Sequence, residues 1–227
     1  EYNGMWLVSN FEKMQLPTGW GVEQQITCVD GSTFQMYMAN MKSIFMDMIK
    51  NTDMVIFNRC KKEDPLPTYR RGIKVANQRA EVIFEDEEGE LGDIFQDEMP
   101  FDMNAPVIEI LPEDYGIWFV DAMDHPENYE GKTVKFKARV MKPRGMGSKF
   151  FVPGRTAMTC CADDTTFLGY VCKSAYAPKL TPGEWVEVTA KVGIEKRNEY
   201  QGEEGIVLDA EHVEQCDPLE DEMVYFN

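Results

Sequence analysis

The strongest constraint on this fold is a change of rhythm near the middle of the chain. Gln24 to Asp30 is a short β-rich run that leaves through Asp-Gly-Ser-Thr, a turn and helix start. From Phe34 to Lys50 the apolar residues Phe34, Met38, Met41, Phe45, Met48 and Ile49 recur at helical spacing. Asp53 to Asn58 is a second short apolar run. Pro65 and Pro67 precede a helix over Tyr69 to Asn77, and Ala80 to Phe84 is a third strand. Strand, helix, strand, helix, strand is the pattern of a parallel sheet covered by helices. From Val107 onward the pattern is different. Thr133 to Val140, Phe150 to Val152, Thr156 to Cys161, Phe167 to Cys172, Trp185 to Val192 and Gly205 to Leu208 are short turn-bounded strands with almost no helix between them. The expected fold class is therefore α/β followed by an all-β, OB-like barrel. The expected domains are residues 1–90 and 107–227, with a linker at 91–106.

Net charge is −17, which argues against a nucleic-acid backbone or an anionic membrane surface as the main partner. Much of the acid sits in runs such as Glu85 to Glu90 and Glu211 to Glu222, which read as solvated faces. No apolar run reaches the ~18 residues of a membrane span, and no signal peptide is visible. Six cysteines, at 28, 60, 160, 161, 172 and 216, follow no disulfide framework, so a reduced, cytoplasmic protein is expected. The chain opens on Glu1 in strand-exit sequence, as a piece of a longer protein would.

Two adjacent thiols, Cys160 and Cys161, stand before Asp163 and Asp164. Adjacent side chains of a strand point to opposite faces. Both thiols meet one ion only if the backbone bends there; otherwise one is core and the other free. With Cys172, and His212 or Cys216 as a further ligand, they form a candidate thiolate site for Zn²⁺ or Cu⁺. The alternative is small buried hydrophobes beside a capped turn. A hairpin through Asp163 and Asp164 is expected to return Cys172 to the pair. Lys142, Arg144 and Arg155 are candidate anion ligands whose ordinary reading is solvation. His125 reads as a surface residue. No Ser-His-Asp or Cys-His-Asp arrangement is suggested.

Asn58-Arg59-Cys60-Lys61 follows an apolar strand, as the guanine-reading Asn-Lys-x-Asp of GTPases does. Glu1 to Gly4, Ile26 to Asp30 followed by Phe34, Asp53 to Asn58, and Tyr69 to Val82 with Asn77 and Ala80 come in the right order to resemble the C-terminal half of CobW-like P-loop GTPases. The resemblance implies a partial parallel P-loop-type sheet and a role in metal, specifically zinc, homeostasis. It places Glu1, Asp30, Asn58 and Arg59 at a nucleotide site, with GTP and Mg²⁺ as cofactors of a longer protein. Departures are plain. No Gly-x-x-x-x-Gly-Lys-[Ser/Thr] occurs, so this chain alone is expected to be inactive. Lys61 stands where the family has Asp, and Gln78 where it has Pro.

Gly131 to Val140, Phe151 to Asp164, Leu168 to Cys172 and Gly183 to Ala190 resemble the C-terminal domain of YcgQ-type proteins. Those are described as permease subunits and linked by context to metal uptake. The resemblance implies a metal-receiving protein or a permease subunit as partner, while charge and hydropathy point to no nucleic acid and no membrane insertion. The two expectations for function are a CobW-like GTP-binding protein fragment with an OB-like accessory domain, and a non-enzymatic binding module that docks a protein or permease partner.

Overall fold

A computed structural model describes residues 1–92, 99–161 and 164–224, without the side chains of Cys160, Cys161 and Asp164. It is a mixed α/β chain with few helices, in two compact units. The expected linker at 91–106 lies partly outside the described residues.

In the N-terminal unit a short helix α1 (Val8–Glu12) is followed by β1 (Ile26–Asp30), α2 (Phe34–Ile49), β2 (Met54–Asn58), α3 (Leu66–Ala76) and β3 (Glu81–Phe84). The strands form a parallel sheet in the order β1-β2-β3. Its register pairs Ile26 with Met54 and Asp30 with Asn58. Thr27 and Val29 of β1, and Val55 and Phe57 of β2, are buried, as the two-residue period requires. The inward strand residues share one core with Phe34, Phe45 and Ile49 of α2 and Leu66, Tyr69 and Ile73 of α3. Phe34 centres it, 4.9 Å from the Phe57 ring and 4.6 Å from the Tyr69 ring. α3 begins before the expected Tyr69, because Pro67 fits a first helical turn, where its missing N–H costs nothing. Asn77 follows that helix and donates from Nδ2 to the carbonyls of Ile49 and Thr52, each at 2.8 Å.

From Ile108 onward the chain holds β4 (Ile108–Glu109), α4 (Tyr115–Asp124), β5 (Thr133–Met141), β6 (Phe150–Cys161), β7 (Asp164–Gly169), β8 (Val171–Lys173), β9 (Trp185–Lys196), β10 (Glu204–Gln215) and β11 (Met223–Val224). The strands belong to one large eight-stranded sheet. β5 pairs antiparallel with β9, and β9 antiparallel with β10. β10 pairs parallel with β8, and β8 antiparallel with β6. β6 then pairs antiparallel with β5, through Arg139 and Gly154, so the path of pairings returns to its start. β4 adds to β5, β11 to β6 in parallel, and β7 to β6.

Three expectations are corrected here. α4 lies in a stretch expected to hold almost no helix. Its Tyr115, Trp118, Phe119 and Ala122 are buried on one helical face. Trp118 lies 4.8 Å from the Phe136 ring, and the Tyr115 hydroxyl donates to the Leu168 carbonyl at 3.0 Å. Second, the separate strands expected at 150–152 and 156–161 are one strand, β6, running through Pro153 and Gly154. Conversely, the strand expected over Phe167 to Cys172 is split at Tyr170, whose hydroxyl donates to the Phe119 carbonyl. Third, Arg155 is not solvated. It is 2 % exposed, and its guanidinium donates to the carbonyls of Pro112, Asp221 and Met223. It also lies 5.6 Å over the Tyr115 ring. Burial lowers its pKa from the usual arginine range.

Candidate functional site

Three places carry chemistry. The first is the carboxyl end of the three-stranded sheet, where ligands of open α/β sheets bind. The parallel register brings Asp30 and Asn58 side by side there. Asp30 accepts from the Ser32 amide (3.1 Å) and hydroxyl (2.6 Å), and it pairs with Arg59. The hydrogen bond from the Ser32 side chain is the main influence holding its carboxyl below the usual range. Arg59 has a φ of +54°, and the Asn58 Oδ1 is buried with no partner among the described residues. Gly31 has no room for a side chain, since a Cβ there would stand 2.8 Å from the Cys60 Sγ. Burial pushes the Cys60 thiol up to about 11. Glu1 is exposed and belongs to no strand, contrary to the strand end expected of it. Ser32 and Arg59 engage the Asp30 carboxylate, and Lys61 stands where the resemblance would put a guanine-reading acid.

The second place is the thiols. Cys172 is fully buried in β8 and stands opposite Phe151, at the start of β6. Burial raises its pKa far above that of a free thiol. Cys160 and Cys161 are the last residues of β6, at the other end of that strand. The expected return of Cys172 to them is not the pairing observed. The side chains of Cys160 and Cys161 lie outside the described residues, as does Asp163. Among the described residues no three His, Cys, Asp or Glu side chains group to hold a metal. Cys28, by contrast, is exposed on β1. Iodoacetamide labelling of the native chain, followed by peptide mass mapping, should therefore modify Cys28 readily and Cys60 and Cys172 only after unfolding. Equal rates at Cys172 and Cys28 would contradict the burial.

Of the third place, the sequence pointed only to Arg144, one of the candidate anion ligands. A cleft of about 810 Å³ opens between the β5–β6 and β9–β10 connections. Met141, Arg144 and Met146 line one side; Lys196, Arg197, Glu199 and Tyr200 line the other; Val152 of β6 and Val171 of β8 lie between. The β9–β10 side is internally braced. The Arg197 guanidinium stacks 4.3 Å over the Phe150 ring and pairs with Glu195 (3.4 Å) and Glu199 (3.1 Å). The bond from Arg197 holds the Glu199 carboxyl below its usual range. The Tyr200 hydroxyl receives from the Val171 amide at 3.2 Å and donates to the Ile206 carbonyl, joining β8 to the start of β10. Gly205 is required beneath it, because a Cβ there would stand 2.5 Å from the Tyr200 ring. Lys142 is also committed, donating to the carbonyls of Ala177 and Leu180. Exposed Arg144 and Lys196 have neither hydrogen bond nor ion pair among the described residues.

A family model described as the DUF1980 C-terminal domain matches residues 90–226. No curated protein matches. Among solved structures, the chain is similar to the mitochondrial single-stranded DNA binding protein Rim1 of S. cerevisiae, at 10% identity and a TM-score of 0.23. That match covers 38% of this chain and 95% of that one. It is also similar to an aspartyl tRNA synthetase from Entamoeba histolytica, at 15% identity and a TM-score of 0.27, over 52% of this chain and 27% of that one. At such scores neither likeness bears on fold or ligand.

Proposed function

Since the chain belongs to the DUF1980 C-terminal domain family, we propose that its C-terminal unit is a non-enzymatic binding module, an OB-type barrel that docks an extended segment of a protein partner. The supporting observation is where the cleft falls. Taking β5, β6, β8, β9 and β10 as strands one to five, the ring of pairings with its single parallel pair, β8–β10, follows the order of a five-stranded Greek-key barrel. In OB barrels the ligand lies on the face of strands two and three, between the first–second and fourth–fifth loops. The cleft has Val152 and Val171 from those two strands and is flanked by those two loops. Two methionines in it suit an adaptable apolar surface.

No helix among the described residues is long and apolar enough to cross a membrane. Cys28, Cys60, Cys172 and Cys216 are free thiols, which suits a reducing compartment such as the cytoplasm. The test is a selection from a phage-displayed library of random peptides on the full chain. The selected peptides should lose about tenfold in affinity on a Met141→Ser/Met146→Ser variant. Both residues are at least partly exposed, so the fold should survive the change. Unchanged affinity would remove the cleft from the account.

A further inference from the structure

Resting on that docking reading, we infer that the segment the cleft takes is acidic and apolar together, with a carboxylate side chain beside a bulky hydrophobic one. The cations of the cleft carry this. Arg197 is already engaged by two carboxylates, Glu195 and Glu199, and covers Phe150. Lys142 is turned onto two carbonyls. Arg144 and Lys196 come from opposite sides of the cleft, and neither has a partner among the described residues. Two uncommitted cations facing one cleft are conspicuous in a chain of net charge −17. An arginine fork at such a site matches a carboxylate with two parallel hydrogen bonds. Between the cations, Met141, Met146, Val152 and Val171 offer an apolar surface to a neighbouring side chain.

A nucleic acid strand suits the cleft less well. Single-strand binding relies on open aromatic faces for base stacking. Here Phe150 lies under Arg197, and among the described residues Tyr200 is the one ring in the lining, its hydroxyl tied to Val171 and Ile206.

The experiment uses the full chain and phage-displayed random dodecamers, followed by fluorescence titration of the synthetic peptides. Peptides rich in Asp or Glu beside a large apolar residue are expected. They should weaken about tenfold on Arg144→Glu/Lys196→Glu and regain affinity there when their acids are exchanged for Lys. Neutral or basic peptides that weaken on Met141→Ser/Met146→Ser but not on the charge reversal would overturn this inference and leave the docking reading standing. Peptides indifferent to both variants, or no selection at all, would overturn both. Selection of the same cleft by oligonucleotides in a parallel pool, with no peptide recovered, would transfer the site to nucleic acid and refute the inference.

Discussion

Arg155→Met is expected to destabilise the C-terminal unit by on the order of 3 kcal/mol, because three part-buried hydrogen bonds from a buried guanidinium are lost at once. The accepting carbonyls belong to Pro112, Asp221 and Met223, so one side chain of β6 ties down the approach to α4 and the strand β11. Methionine keeps much of the volume and the packing on Tyr115, which isolates the donor. Urea unfolding of the full chain measures the loss. Amide exchange at Val224, in the strand that pairs with β6 at Ala157, should accelerate further than exchange in β5 or β9. A loss below about 1 kcal/mol with β11 still protected would show that the guanidinium is not what holds that strand.

The second large effect concerns two glycines where backbones meet. A Cβ on Gly154 would stand 2.3 Å from the Leu168 carbonyl oxygen, and one on Gly169 2.6 Å from that of Pro153. Both obstacles are backbone, which cannot rotate away. Gly154→Val or Gly169→Val is expected to cost on the order of 3 kcal/mol or more and to abolish the β5–β6 closure through Arg139 and Gly154. Gly193→Ala is the control, since its Cβ would meet only the Val207 oxygen, at 3.7 Å. Tm values from thermal unfolding should fall steeply for the first two and little for the third. Equal effects at all three sites would mean that the loss of glycine, rather than this close approach, is responsible.

Apart from α1, which the sequence did not announce, the N-terminal unit was legible because its strands and helices each carry their own period. Phe34, Phe45 and Ile49 announce a helix, and Thr27 and Val29 set the inward face of β1. The C-terminal unit was only partly legible. The helical spacing of Tyr115, Trp118, Phe119 and Ala122 is present in the chain, but it sits in a stretch surrounded by strand patterns. Pro153 and Gly154 look like turn residues, yet they pass through β6 because a partner backbone comes close there. Nothing local marks Arg155 as buried, since its acceptors lie 43 to 68 residues away in sequence. Beyond Arg144, named as a candidate anion ligand, the cleft was hidden for the same reason. It depends on β8 finding β10 and β6 finding β5, pairings between strands that are not all neighbours in sequence. The adjacent Cys160 and Cys161 drew attention by their rarity, whereas the residues that shape the cleft are common ones.

The most direct test of the docking account is a map of backbone amide shifts when a peptide selected on the full chain is titrated into it. The account expects the largest changes in residues 141–146, 169–171 and 196–200, on both sides of the cleft and between them. Changes centred on Asp30, Asn58 and Arg59, at the carboxyl end of the three-stranded sheet, would contradict it and return the function to the other unit.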